Sequence, residues 1–158
     1  MDDQSKKTAL RMIPYGLYVL ATRDGDKVNA AAINWVTQAS FAPPLVAMGI
    51  KRDTDTFQNL KNGAPFALSI LGTGQKDTAF AFFKPTDRQE DTINGHPFET
   101  LETGAPVLVD APAWVEGRVT DIVERGDHGV VVAEVIAAGV RQEMGVLTLA
   151  ECGVSYGG

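Results

Sequence analysis

The chain predicts a mainly antiparallel β-barrel with short helical additions, and three observations carry that expectation. Apolar and β-branched runs of strand length recur along it, and tight turn signals separate them, above all Asp24-Gly25 and Arg125-Gly126-Asp127-His128. Helical pattern is confined to short segments, chiefly Asp55 to Lys61 and Gln75 to Phe83. No strand is followed by a long helix and another strand, so the rhythm of a parallel α/β sheet is absent. About seven strands and two short helices fit the size of one domain, residues 1–158.

In chain order, Thr8 to Ile13 is a weak helical stretch that ends at Pro14. The run Tyr15 to Arg23 is aromatic and β-branched enough to be a strand, and Asp24-Gly25 turns it back into an extended run from Val28 to Ser40. A Pro43-Pro44 corner leads to a buried strand, Leu45 to Ile50. Lys51 and Arg52 follow, then a hydroxyl-bearing turn with Thr54 and Thr56 where the helix Asp55 to Lys61 starts. Gly63 closes that helix, Pro65 to Gly72 is another buried strand, and Gly72-Thr73-Gly74 turns the chain into the helix Gln75 to Phe83. Its crowded aromatics read as core packing, with Phe82 also a candidate ligand contact. Lys84 to Pro112 is polar and punctuated by Pro and Gly. It reads as a long loop with little regular structure, and its length suggests a lid or an arm against a second copy. Trp114 to Glu124 and Gly129 to Val140 form the clearest hairpin, and Gly145 to Leu149 and Gly153 to Tyr156 make a last strand and a tail.

Charge and residue types exclude several classes. Fourteen Lys and Arg against twenty Asp and Glu leave a net charge of -6, with no basic run longer than Lys6-Lys7, so a nucleic-acid partner is not expected. One cysteine, Cys152, excludes an internal disulfide and a thiolate metal cage, and it reads as a small buried apolar residue. With only His96 and His128 besides, no metal site is expected. No apolar run reaches the ~20 residues of a membrane helix, and the first dozen residues lack a signal's apolar stretch, so a cytoplasmic location is expected. No dinucleotide-binding glycine fingerprint follows a strand.

The chemistry-bearing residues cluster between Asn34 and Thr56. Asn34, Thr37, Gln38 and Ser40 lie on a strand whose solvent face could explain them, yet Lys51, Arg52, Thr54 and Thr56 follow closely and would share one barrel rim. A helix start beside two cations suits a phosphate. The order Asn34, Trp35, Thr37, Gln38, Ser40, Pro43, Pro44 resembles the flavin reductase-like group of FMN-binding split barrels. Lys51 with Thr54, the helix Gln75 to Phe83, the turn Gly126-Asp127-His128 and the terminal Tyr156-Gly157-Gly158 extend the likeness from Ile13 to Gly158.

The resemblance implies a homodimeric FMN-binding split β-barrel that takes hydride from NADH or NADPH. Reduced flavin would go to a partner monooxygenase or another acceptor. It assigns flavin contacts to Asn34, Trp35, Val36, Thr37, Gln38, Ser40, Lys51, Arg52, Thr54, Thr56, Phe82 and Tyr156, and the nicotinamide end to His128, which positions rather than protonates. Trp35, where relatives often carry a small residue, would narrow the site and favour FMN over FAD. Two rival readings stay open: an FMN-binding electron-transfer protein of the flavoredoxin kind without NAD(P)H activity, and a module holding haem or another planar ligand.

Overall fold

The Asp24-Gly25 turn closes as the sequence predicts. Strands β1 (Tyr18–Asp24) and β2 (Lys27–Ile33) pair antiparallel across it, with Asp24 opposite Lys27 and Gly25 at a φ of 59° that a glycine adopts without strain. In the computed structural model, which describes residues 1–158, this hairpin is one end of a seven-stranded antiparallel sheet. The other strands are β3 (Val36–Ser40), β4 (Leu45–Lys51), β5 (Phe66–Ile70), β9 (Ala113–Val123) and β10 (His128–Val140). Their order is β2-β1-β5-β9-β10-β4-β3. The two edge strands, β2 and β3, are therefore consecutive in the chain and joined only by Asn34 and Trp35. A link that short draws the edges together, so the sheet rolls round on itself as a barrel does. Where the sequence reads one extended run from Val28 to Ser40, the structure breaks it at this link.

Both faces of the central strands are buried, which explains their near-continuous apolar composition. Leu20 packs inside the roll with Met48, Ile50, Phe66, Leu68 and Val131, while Val19 and Ala21 on its other face join Leu17, Leu71, Phe82 and Leu147. Helix α2 (Asp55–Lys61) plugs the roll with Phe57 and Leu60. Its buried Asn59 donates to the buried Thr22 hydroxyl at 3.0 Å. Helix α3 (Lys76–Ala81) and Cys152 cover the outer face, the cysteine buried as expected.

Three expectations are corrected. Helix α1 (Asp3–Arg11) starts earlier than Thr8 because Asp2 caps it, accepting from the Ser5 backbone N–H at 2.8 Å, and it buries no residue. The segment Lys84 to Pro112 is not a structureless loop: β6 (Thr92–Ile93), β7 (His96–Thr100) and β8 (Pro106–Leu108) form a small three-stranded sheet. Asn94 and Gly95, both at positive φ, make its first turn. This sheet lies on the outer face of β5 and β9 as a second layer. Leu108 donates its backbone N–H to Ser69, and the wholly buried Glu116 accepts from the backbones of Glu102 and Thr103 and from the Thr103 hydroxyl. The last residues form single bridges, Gly16 to Thr148 and Gly72 to Val146, rather than a full strand. No helix is long and apolar enough to cross a membrane.

Candidate functional site

The register of β4 against β10 sets Lys51 opposite His128, so both residues emerge at one end of the rolled sheet. The closing link between the two edge strands brings Asn34 beside them. A cavity of about 420 Å³ opens there. Its apolar walls include Leu17, Ala32, Ile33, Ile50 and Leu149, and its polar side chains are Asn34, Lys51, Thr54, Thr56, His128, Ser155 and Tyr156. Apolar walls with a few convergent polar groups are the usual make-up of a small-molecule site.

Two glycines let the neighbours close in. A Cβ on Gly129 would lie 2.3 Å from a Phe57 ring carbon, so α2 rests directly on β10 next to His128. A Cβ on Gly49 would lie 2.9 Å from a Trp35 ring carbon, and Gly49 donates its backbone N–H to the Trp35 carbonyl at 2.9 Å. Trp35 thus packs against Gly49 of β4 and is not among the residues that line the cavity. Its ring centroid is 4.6 Å from that of His128 and 5.3 Å from that of Tyr156.

His128 is oriented from both sides. Its Nδ1 is 2.9 Å from Asp127 Oδ1 and its Nε2 is 2.8 Å from the Tyr156 hydroxyl. A carboxylate only accepts, so Nδ1 carries a proton, and in the neutral ring Nε2 accepts from the phenol. The hydrogen bond from His128, and then its charge, hold the Asp127 carboxyl below the usual carboxylate range. Residues 28 positions apart in sequence thereby clamp the tail, and Arg11 Nε adds a bond to the Gly157 carbonyl at 3.1 Å.

At the corner that follows β4, Thr54 is the N-cap of α2. Its hydroxyl accepts from the Phe57 backbone N–H at 3.2 Å and donates to the Lys51 carbonyl at 2.7 Å. Thr56 donates to the Asn29 side-chain oxygen. These bonds commit both hydroxyls to shaping the corner, while the Lys51 ammonium reaches only Asp53, at 3.4 Å and half exposed. Three buried side-chain atoms have no partner in the protein: Arg23 Nε away from this cavity, Asn34 Nδ2 in the cavity wall and Trp35 Nε1 next to it. A buried donor without a partner carries a desolvation cost of about 1–3 kcal/mol, so a ligand that accepts from Asn34 is favoured.

Of the sequence-predicted residues, Asn34, Lys51, Thr54, Thr56, His128 and Tyr156 come together in the cavity wall, with Trp35 against it. The structure does not bring the others there. Thr37 and Gln38 are exposed on edge strand β3, where each side chain bonds to nearby backbone, and Ser40 follows at a bulge against β4. Val36 packs on the inner core. Arg52 turns to Glu124 and the Gly126 carbonyl. Phe82 is buried in the outer core, with its carbonyl on the Ala32 N–H. The sequence reading missed Phe83, which lines the cavity half exposed, and the backbone wall Ala31 to Ile33. The aromatic at the last position of the predicted helix, past its buried face, was the available signal.

The donor set fits a flavin. Apolar walls suit a flat ring system, the unpartnered Asn34 amide suits a ring carbonyl, and Lys51 suits a phosphate. Comparison with known proteins agrees. The chain is 30% identical over 145 residues to a diflavin flavoprotein of Synechocystis, covering 91% of this chain and 25% of that protein, so it spans about a quarter of such relatives. A structure of an NADH:FAD oxidoreductase from Streptomyces globisporus, in complex with NAD and FAD fragments, superposes with a TM-score of 0.71 at 31% identity, covering 81% of this chain and 76% of that one. The flavin reductase of styrene monooxygenase from Pseudomonas putida superposes with a TM-score of 0.75 at 28% identity, covering 94% and 93%. Residues 10–154 match the description of the flavin reductase like domain, and the chain belongs to that family.

Proposed function

We propose that the chain is an NAD(P)H-dependent flavin reductase, binding FMN or FAD in the 420 Å³ cavity and passing reducing equivalents to a partner oxygenase or another acceptor in the cytoplasm. The observation that carries this is the buried Asn34 amide with no protein partner, set in a largely apolar cavity wall that also holds Lys51, His128 and Tyr156. The flavin supplies the redox chemistry, accepting hydride from a nicotinamide. The protein's task is alignment. Asn34 holds the ring edge and Lys51 the phosphate. The Tyr156 tail excludes water on one side, and His128 lines the mouth through which a nicotinamide enters. Thr37, Gln38 and Ser40 are proposed to act through the edge they form rather than by contact, and the assembly as a homodimer.

The match to a quarter of the longer diflavin flavoproteins supports a second reading, an electron-transfer flavin module that never meets NAD(P)H. Anaerobic titration of the flavin-loaded protein separates the two. Loss of the flavin absorbance near ~450 nm within seconds of adding NADH or NADPH is expected. Retained flavin that neither nucleotide reduces would leave only the electron-transfer module.

A further inference from the structure

The turn that carries His128 is fastened from outside the cavity. Residues Glu124 to Asp127 join β9 to β10, and every one of them is exposed. A hairpin tip of that kind is ordinarily mobile, because few contacts cross it. Here one residue of another element spans it. The Arg52 guanidinium donates through Nη1 to the Gly126 carbonyl at 3.1 Å, and its Nη2 lies 3.4 Å from Glu124 Oε1. The Arg52 backbone N–H donates to the Asp127 carbonyl at 3.0 Å. Both carbonyls that lead into His128 are therefore held by the residue that follows β4.

Glu124 is fixed in its turn. Lys61, the last residue of α2, reaches it at 2.9 Å. The hydrogen bond from Lys61, and then the charges of Lys61 and Arg52, hold the Glu124 carboxyl below the usual carboxylate range. Ion pairs this exposed contribute little to stability, so the network is poorly explained as a brace for the fold. What it fixes is the place of the turn. A guanidinium is a planar fork that meets a carbonyl and a carboxylate at once, which a single ammonium does less well. Arg52 also directly follows Lys51, whose partner across the sheet is His128. The corner that carries the proposed phosphate cation thus also sets the turn at the nicotinamide end.

We propose that Arg52 is a positioning residue for nicotinamide capture: by holding Glu124, Gly126 and Asp127 it keeps His128 in the cavity wall, in the orientation that Asp127 and Tyr156 fix. The inference rests on the flavin reductase reading of the main cavity. It gives Arg52 a different role from the flavin contact that the family resemblance assigns. Neither Arg52 nor Glu124 lines the cavity, so the effect passes through His128 and not through a bond to flavin or nucleotide. Without the fork the tip is tied only by its own strands, and the imidazole loses its single place.

The test compares Arg52→Ala, Arg52→Lys and Glu124→Gln with the parent chain in steady-state oxidation of NADH and NADPH, beside a fluorescence titration of flavin for each. Both positions are exposed, so the fold is spared. Arg52→Ala is expected to raise KM for the nucleotide about fivefold or more, with kcat and the flavin dissociation constant within about twofold of the parent. Arg52→Lys keeps the charge without the fork and should recover part of that rise. Glu124→Gln should move KM the same way by less. By NMR, Arg52→Ala should also bring the Asp127 carboxyl up toward the ordinary aspartate range, because its partner His128 has loosened. Weaker flavin binding in Arg52→Ala that Arg52→Lys restores would return the residue to the phosphate and overturn the proposal. So would a lower KM in Glu124→Gln, since an arginine freed from its carboxylate would then be meeting the nucleotide itself. A lower thermal midpoint with KM and Asp127 unmoved would leave Arg52 a structural residue only. A parent protein that binds no flavin would end the flavin reading, and the role of Arg52 with it.

Discussion

Asp127 and His128 show how one exposed turn can control a distant tail. The Asp127 carboxyl is depressed by the hydrogen bond and charge of His128, so its contribution to stability is fully present above the unfolded value of about 3.9. It is lost as pH falls through the lower folded value. An NMR titration of the Asp127 carboxyl should give a midpoint below that of an ordinary aspartate, and His128→Ala should return it to the ordinary range. An unshifted midpoint in the parent protein would remove the pairing. His128 was legible as a turn residue. Its engagement with Tyr156 was not, because nothing local links positions 28 apart.

Among the elements, the small β6-β8 sheet was the least legible. Its strands are two, five and three residues long, and β7 carries His96, Pro97 and Glu99, so no period of two stands out. Contacts hold it instead. Glu116 of β9 is 1% exposed and accepts three hydrogen bonds from Glu102 and Thr103. Replacing the carboxylate by an amide, Glu116→Gln, turns at least one acceptor into a donor facing donors, and should destabilise the fold by about 1–3 kcal/mol. Chemical denaturation with a two-state fit measures it. A loss under about 0.5 kcal/mol, the range of surface substitutions, would mean that water replaces those bonds. Helix α2, by contrast, was readable in advance with both its ends and a hydroxyl-bearing turn at its start, of which the structure makes Thr54 the cap, because start and stop signals are local.

Across the whole molecule, the rolled sheet leaves one face unexplained by its own core. Along β10 the outward positions are Val130, Val132, Glu134, Ile136, Ala138 and Val140, with Ile136 43% and Val140 69% exposed. At the same end Phe41 is 90% exposed in the turn before β4. A row this apolar on the outside of the sheet is what a contact between copies needs. Sedimentation equilibrium should give a mass of twice 16.9 kDa, and Ile136→Lys with Val140→Lys should return it to the single-chain value. A parent protein that sediments as one chain would end the homodimer proposal.

By itself the sequence determined the strand class, the two hairpins and helix α2, because alternation, turn residues and caps act over a few positions; Asn34, Lys51, Thr54, Thr56 and His128 were candidates from their order and from the resemblance, and the structure brings them to one cavity wall. Tertiary structure alone decided which of the neighbouring polar residues line the cavity. A strand's side chains alternate between faces, and the face that lines a cavity is set by pairing with a partner far away in the chain. Thr37, Gln38 and Ser40 lie as near Lys51 in sequence as Asn34 does. Pairing of β3 along the outer edge of β4 leaves Thr37 and Gln38 exposed and Ser40 outside the cavity wall, while the link at Asn34 closes the roll and turns that residue inward. The joining of Tyr156 to His128 likewise exists only once the sheet has rolled and the chain ends pack across it.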